Sequence, residues 1–141
     1  MKTEVIKQYA HTWRTFAGIV RDFDGDAWLH TGRGIILPVR LTFHILKSTM
    51  YYIEDTSTVL LAAGKPLDGN WETIKEKDFP SQNDILAGID ALQAKTEQWL
   101  SDMDFDAENK TFGWAGATQF GVALFLLRHT LYHIGELNTL L

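Results

Sequence analysis

The chain contains no cysteine among its 141 residues. This absence excludes disulfide bonds, a cysteine nucleophile and thiolate metal ligands, so a metal site would have to use nitrogen and oxygen donors. The chain also lacks a basic cluster, and its formal net charge is -5. Because nucleic-acid binding depends on Lys and Arg neutralising the phosphates, we expect no nucleic-acid partner.

Long apolar runs are absent as well. The longest run, Val122 to Leu127, is far shorter than the roughly 20 residues that span a bilayer. The segment from Met1 to Lys7 lacks the apolar stretch of a secretory signal. We therefore expect no membrane partner and a cytoplasmic location. With 45% hydrophobic and 22% charged residues, the composition is that of a globular protein, and we interpret residues 1–141 as a single domain.

No segment shows the period-two alternation of a half-buried strand, whereas four segments show helical spacing. The predicted helices cover about residues 3–23, 38–63, 81–103 and 118–141. Pro38 suits the first turn of the second helix, which is expected to end where Gly64 and Pro66 stop helices. Ser81 and Asp84 resemble a capping box at the start of the third. The pattern predicts an all-α fold, a four-helix bundle.

Each predicted helix has an expected inward face. Along the first, this face comprises Ile6, Tyr9, Trp13, Phe16, Val20 and Phe23. Along the second, it comprises Leu41, His44, Ser48, Tyr51 and Asp55. The third contributes Ile85, Ile89, Leu92, Thr96, Trp99 and Met103. The fourth contributes Val122, Leu126, His129, His133, Glu136 and Leu140. Residues 65–80 have no period and are predicted to form a long connection.

Histidine is the residue type whose placement points to chemistry. His129 and His133 stand one helical turn apart, so both rings can reach one ion at the roughly 2.0 to 2.1 Å of a metal–nitrogen bond. His44 is a candidate third ligand from another apolar helix. Burying several imidazoles without partners costs a few kcal/mol each, which a shared cation would offset. A metal-free interpretation, with the three rings as polar core groups, stays open.

Other candidates are weaker. Glu136 would be a fourth ligand, an acceptor for the ring N–H of a metal-bound histidine, or a solvated carboxylate, and we favour the acceptor. His11 and His30 lack the spacing and are predicted to be surface residues. His129 is not followed by the glutamate that a zinc protease of the HExxH type needs. Two aspartate-rich strings, residues 22–26 and 102–106, lack the glycine and glutamate of a calcium-binding loop.

The two histidine motifs resemble those of one family. Leu41 to Leu46, which contains His44, and His129 to Leu137, with Gly135 after the second histidine of the pair, are similar to the DinB/YfiT superfamily of metal-dependent proteins. The resemblance implies an up-down-down-up four-helix bundle, commonly a homodimer. It also implies a divalent metal, nickel or zinc before manganese or iron, held by His44, His129 and His133 with water completing the shell.

Characterised members of that family include transferases and isomerases that use bacillithiol, mycothiol or glutathione. The resemblance therefore implies a metal-dependent transferase that activates a low-molecular-weight thiol and acts on a small-molecule substrate. Three neutral nitrogens would leave the metal its full charge, so that a free thiol would bind as thiolate. A hydrolase using metal-bound water and a non-catalytic bundle stabilised by metal are the alternatives.

Four further residues are candidates for the surroundings of the metal. Arg40 lies one turn before His44 and would steer a carboxylated thiol, although a surface charge is the simpler interpretation. Tyr51, Trp114 and Tyr132 are candidate pocket residues, although aromatic side chains in a helical bundle more often belong to the core.

Overall fold

The computed structural model describes residues 1–56, 66 and 68–141. These residues form five α-helices and no strand, apart from isolated bridges. The helices are α1 (Lys2–Asp22), α2 (Gly25–His30), α3 (Pro38–Tyr52), α4 (Gln82–Asp102) and α5 (Gln119–Asn138). Two 3₁₀ turns lie at Glu76–Asp78 and Gly113–Ala115. The predicted all-α class is confirmed, and no described helix has the length and apolar character needed to cross a membrane.

Local sequence signals explain where these helices begin. The Ser81 hydroxyl accepts a hydrogen bond from the Asp84 N–H while the Asp84 carboxylate accepts one from the Ser81 N–H, which confirms the predicted capping box of α4. Pro38 stands in the first turn of α3. At the start of α5, Gly121 is required because a Cβ there would lie 2.7 Å from the Ala115 carbonyl oxygen.

One short helix and the end of one long helix differ from the sequence predictions. The short helix α2 lies in residues 24–37, for which the sequence predicted no helix, and the Asp24 carboxylate caps it by accepting from the Asp26 and Ala27 N–H groups. A six-residue helix is too short to show a periodic pattern. The second predicted helix ends early, because α3 stops at Tyr52, and Asp55 lies beyond its end. The expected stop at Gly64 lies outside the described residues.

The four long helices pack around one core. Helix α1 packs against α4 and α5, and α3 packs against the same two helices. The Tyr9 hydroxyl donates to the Ala123 carbonyl oxygen at 2.6 Å, and burial raises the pKa of Tyr9. The Trp13 indole N–H donates to the Thr96 hydroxyl at 3.0 Å. These bonds satisfy the polar atoms of side chains that otherwise contribute apolar area to the core.

The buried faces of α1 and α4 agree with prediction, with Ile6 and Trp99 only partly buried. The buried face of α3 differs from the predicted one. It is centred on Leu41, Thr42, Ile45, Leu46 and Thr49. His44 and Ser48 lie at its edge, half-buried. The inward position predicted for Tyr51 is wrong, since this residue is 59% exposed.

The same offset occurs on α5. Its buried residues are Val122, Ala123, Leu126, Thr130, Ile134 and Leu137. His129, His133 and Glu136 lie beside this face and are partly buried. Val122 and Leu126 are buried as predicted, whereas further along the helix the buried residues are Thr130, Ile134 and Leu137, each one position after a predicted residue. The histidines therefore stand at the rim of the core, where one side of each ring can face solvent.

Candidate metal centre

Helices α3 and α5 bring the three predicted histidines together. One nitrogen from each of His44, His129 and His133 can be chosen so that all three lie within 4.8 Å of one another. The centroid of the His44 ring is 5.4 Å from that of His129 and 4.6 Å from that of His133. The centroids of His129 and His133 are 4.6 Å apart. The i, i+4 pair on α5 thus faces a single ring on α3, as a shared ion would require.

The environment keeps these rings in the form that binds metals. Burial, followed by the neighbouring imidazoles of His133 and His129, lowers the pKa of His44 to about 4. Burial, followed by His133 and Arg128, lowers the pKa of His129 to about 4. Both rings are therefore neutral at pH 7 and retain a lone pair for a cation.

Two of the histidines have a partner for the nitrogen Nδ1. The Glu136 Oε1 lies 2.6 Å from His133 Nδ1, and the Ser48 Oγ lies 3.4 Å from His44 Nδ1. A carboxylate accepts hydrogen bonds, so the tautomer of His133 that donates from Nδ1 keeps its lone pair on Nε2. This arrangement matches the acceptor interpretation of Glu136, which is not among the three clustered residues.

His129 supplies a direct test of whether a cation fits. Its Nδ1 is buried and has no hydrogen-bond partner among the described residues. A buried nitrogen left in this state costs about 1 to 3 kcal/mol. A cation that is coordinated by the lone pair of this nitrogen and shared with His44 and His133 would offset that cost, so the donor set fits a bound divalent metal.

No sequence pattern indicated a fourth aromatic ring at the site. Trp71, from the connection between α3 and α4, stacks on His44 with ring centroids 4.3 Å apart and an angle of 28°. The Arg40 Nη1 donates to the Trp71 carbonyl oxygen at 2.8 Å, and the Arg40 guanidinium lies 4.8 Å from the centre of the Phe79 ring. Arg40 is therefore half-buried and anchors the connection over His44, rather than standing as a free surface charge.

An open pocket adjoins the α5 side of the centre. It has a volume of about 250 Å³ and is lined by Phe125, Arg128, His129, Tyr132 and His133. The Phe125 ring is nearly parallel to that of His129, with centroids 6.1 Å apart. Tyr132 is 66% exposed and its ring centre lies 5.2 Å from that of His133. A small molecule in this pocket would contact two of the three histidines.

The other candidate pocket residues lie further away. Trp114 donates its indole N–H to the Tyr52 hydroxyl at 3.1 Å, and the Tyr52 ring centre is 6.1 Å from that of His129. Tyr51 packs on Phe112 and Tyr52. Trp114 and Tyr51 do not line the 250 Å³ pocket.

His11 and His30 are exposed, as predicted. His30 lies 3.1 Å from an Asp26 oxygen and 3.2 Å from a Glu76 oxygen. These hydrogen bonds raise the pKa of His30, and the bond to Glu76 has the larger effect. The pKa values of His44 and His129 are instead lowered. The two exposed histidines therefore provide controls for experiments on the other three.

Comparison with known proteins identifies no relative. No protein-family model matches the chain, and neither a curated protein nor a solved structure shows significant similarity to it.

Proposed function

We propose that the protein is a metal-dependent enzyme in which His44, His129 and His133 hold a divalent metal. The observation that carries this proposal is the convergence of one nitrogen from each ring to within 4.8 Å. Neutral imidazoles are suitable ligands for zinc, nickel and iron. Because the chain has no cysteine, it has no thiolate ligand that would favour other metals. We favour zinc or nickel.

Two features support an enzyme over a metal that only stabilises the fold. Structural zinc sites are closed by four protein ligands, whereas three histidines form the cluster in the described part of the chain. The 250 Å³ pocket beside His129 and His133 leaves room for an external ligand. A site with three protein ligands and an adjoining pocket is typical of catalytic metal centres.

The reaction we favour is group transfer to a low-molecular-weight thiol. A divalent metal bound here would supply Lewis acidity, which lowers the pKa of a coordinated thiol or water. Glu136 holds the His133 ring through Nδ1, and Trp71 covers one face of His44. Phe125 and Tyr132 line the pocket and offer aromatic surface to a bound ligand. Cytoplasm, where small thiols stay reduced, is the compartment that suits this chemistry.

Membership of the DinB/YfiT type, with its up-down-down-up helix order, is part of the proposal. The Lys2 ammonium group donates to the Met103 carbonyl oxygen, and the Gln82 side-chain amide donates to the Phe23 carbonyl oxygen. Each bond joins one end of α1 to the opposite end of α4. These contacts support an antiparallel α1–α4 pair.

Contacts of α3 support the remaining directions. Tyr52, at the end of α3, contacts Phe125 near the start of α5, and His44 contacts His133 further along. This is the order expected of an antiparallel pair. Arg40, at the start of α3, contacts Phe79, which lies just before α4. That contact supports a parallel α3–α4 pair joined by a long crossover, as the up-down-down-up order requires.

A homodimer is the assembly that we propose, following the family resemblance. Four large apolar or aromatic side chains on or beside α5 are 44% to 66% exposed: Trp114, Leu124, Leu131 and Tyr132. Exposed apolar patches of this kind mark interaction sites. Sedimentation equilibrium of the full chain would distinguish a dimer from a monomer.

Metal analysis with matched variants tests the proposed function. Untagged wild-type protein should contain about one zinc or nickel per chain, and His44→Ala, His129→Ala and His133→Ala should each lose most of it. His11→Ala and His30→Ala, which remove exposed histidines, should retain it. Unchanged metal content in all three cluster variants would contradict the assigned ligands.

A second experiment separates the enzyme from a structural metal protein. Cobalt substituted at the centre gives absorption bands that respond to its ligands. Addition of glutathione or another small thiol should add a sulfur-to-cobalt charge-transfer band if a position is open to external ligands. A spectrum unaffected by every small thiol would contradict the thiol transferase and leave water as the nucleophile of a hydrolase.

A further inference from the structure

The pocket beside the histidines contains one permanent positive charge, Arg128. This residue lies on α5 directly before His129 and lines the 250 Å³ pocket with His129 and His133. Its guanidinium lies 5.3 Å from the centre of the Phe125 ring. An arginine side chain carries a guanidinium cation, so this edge of the pocket is positively charged.

The charge of Arg128 is not neutralised within the described residues. No carboxylate among them forms an ion pair with its guanidinium, and its recorded contact is with the face of Phe125. Arg40, the arginine considered from the sequence, is by contrast bonded to the Trp71 carbonyl oxygen and packed on Phe79. The buried Nε of Arg40 has no partner in the described part of the chain, but Arg40 does not line the 250 Å³ pocket, so Arg128 is the one of these two arginines that is placed to bind a ligand there.

We infer that Arg128 binds a carboxylate of the thiol ligand, and so selects anionic thiols over neutral ones. This inference rests on the proposed function, because it requires a ligand bound at the metal. A planar guanidinium can donate two parallel hydrogen bonds to one carboxylate. Phe125, already in contact with Arg128, restricts the guanidinium to one side of the pocket and lowers the entropy lost when the carboxylate binds.

The size of the pocket agrees with this ligand class. A volume of about 250 Å³ accommodates a molecule of several heavy atoms but not a large cofactor. A second groove of about 570 Å³ shares Phe125 and Arg128 and continues over apolar residues, including Leu124 and Leu131. Because Leu124 and Leu131 also belong to the exposed face assigned to the dimer, the ligand inferred here is confined to the 250 Å³ pocket.

The test compares a matched pair of probes, 3-mercaptopropionate and its methyl ester. Both would be titrated into cobalt-saturated wild-type protein, Arg128→Gln, Arg128→Lys and Arg14→Gln, with the charge-transfer band as the readout. Arg14 is an exposed arginine of α1 and serves as the control. The metal itself attracts the carboxylate in every variant, so the informative quantity is the change in the affinity ratio of the two probes caused by the substitution.

We expect Arg128→Gln to reduce the preference for the acid over the ester by about tenfold or more, the effect of a lost charge-assisted hydrogen bond. Arg128→Lys should retain part of the preference, and Arg14→Gln should retain all of it. The affinity of the ester should change by less than about twofold. An acid-to-ester ratio that is the same in wild type and Arg128→Gln would overturn the assignment of Arg128 while leaving the metal centre intact.

Failure of the proposed function would look different. A wild-type protein that takes up no cobalt would overturn the metal centre, and the role of Arg128 with it. If cobalt binds but neither probe produces a charge-transfer band, the thiol is not a ligand and the inference is overturned as well. Circular dichroism of each variant shows whether the helices are retained, so that a folding defect is recognised.

Discussion

Replacement of Glu136 by glutamine tests how the protein prepares His133 to bind a metal. The Glu136 Oε1 is 2.6 Å from His133 Nδ1, and the two side chains are 29% and 13% exposed. Glutamine can still accept a hydrogen bond from Nδ1–H through its carbonyl oxygen. The substitution Glu136→Gln therefore keeps the orientation of the ring and removes the negative charge that strengthens Nε2 as a donor.

The expected loss follows from that geometry. Partners of metal-bound histidines contribute about 10-fold to 100-fold in metal affinity. Because Glu136 is partly exposed, water screens its charge and the lower part of this range applies. We expect zinc affinity to fall about 10-fold to 30-fold, or about 1.4 to 2 kcal/mol. Glu136→Ala, which also removes the acceptor, should lose more.

The assay is competition for zinc against a chelator of known affinity at pH 7.5. Glu97→Gln provides the control, because Glu97 is an exposed residue of α4 outside the centre. Its affinity should equal that of the wild type. If Glu136→Gln also binds zinc within about twofold of the wild type, the negative charge of Glu136 does not strengthen His133 as a ligand, and the role assigned to that charge is refuted.

Three further predictions follow from the described contacts. His44 and His129 have pKa values lowered to about 4, so between pH 6.5 and pH 4 the unfolded chain binds more protons than the folded one. As the pH falls through this window, the free energy of unfolding of the metal-free protein, measured with urea, should decrease, and it should decrease less in His44→Gln. An identical decrease in both proteins would contradict the lowered pKa of His44. Nickel should quench the fluorescence of Trp71, which stacks on His44, so Trp71→Phe should remove most of the quenching, and full retention would contradict the stacking. Ser81→Ala should reduce the free energy of unfolding by about 1 kcal/mol through loss of the cap of α4, as measured by urea denaturation, whereas no loss would show that the cap is unimportant.

The parts of the fold that the sequence predicted are those with long, regular patterns. The seam from Tyr9 to Val20 predicted α1, and the capping box at Ser81 predicted the start of α4. Such signals are local, since each helix carries its own period and cap. The buried faces of α3 and α5 were predicted less accurately. A helical seam that contains histidines and tyrosines does not show which residues lie at its centre and which lie at its edge.

The histidine cluster could be predicted because its two motifs lie on helices that the patterns identify. The pair His129 and His133 needs only a helix, and His44 needs only a second helix beside it. Trp71 could not be predicted in this way. It belongs to an irregular connection, and its position over His44 depends on the hydrogen bond from Arg40 to its carbonyl oxygen. Contacts of that kind are tertiary and leave no period in the sequence.

Arg128 illustrates the same limit. Arg128 directly precedes His129, but neighbouring residues point about 100° apart on a helix, so Arg40, one turn from His44, was the more evident candidate. The distinction depends on which arginine is already bonded within the fold.

The central claim is that His44, His129 and His133 bind one metal ion together. Crystals of the protein grown with zinc, with data collected above and below the zinc absorption edge, test it most directly. We predict an anomalous difference peak about 2.0 to 2.1 Å from one nitrogen of each of the three rings. A peak elsewhere, or three imidazoles with no peak between them at saturating zinc, would contradict the claim.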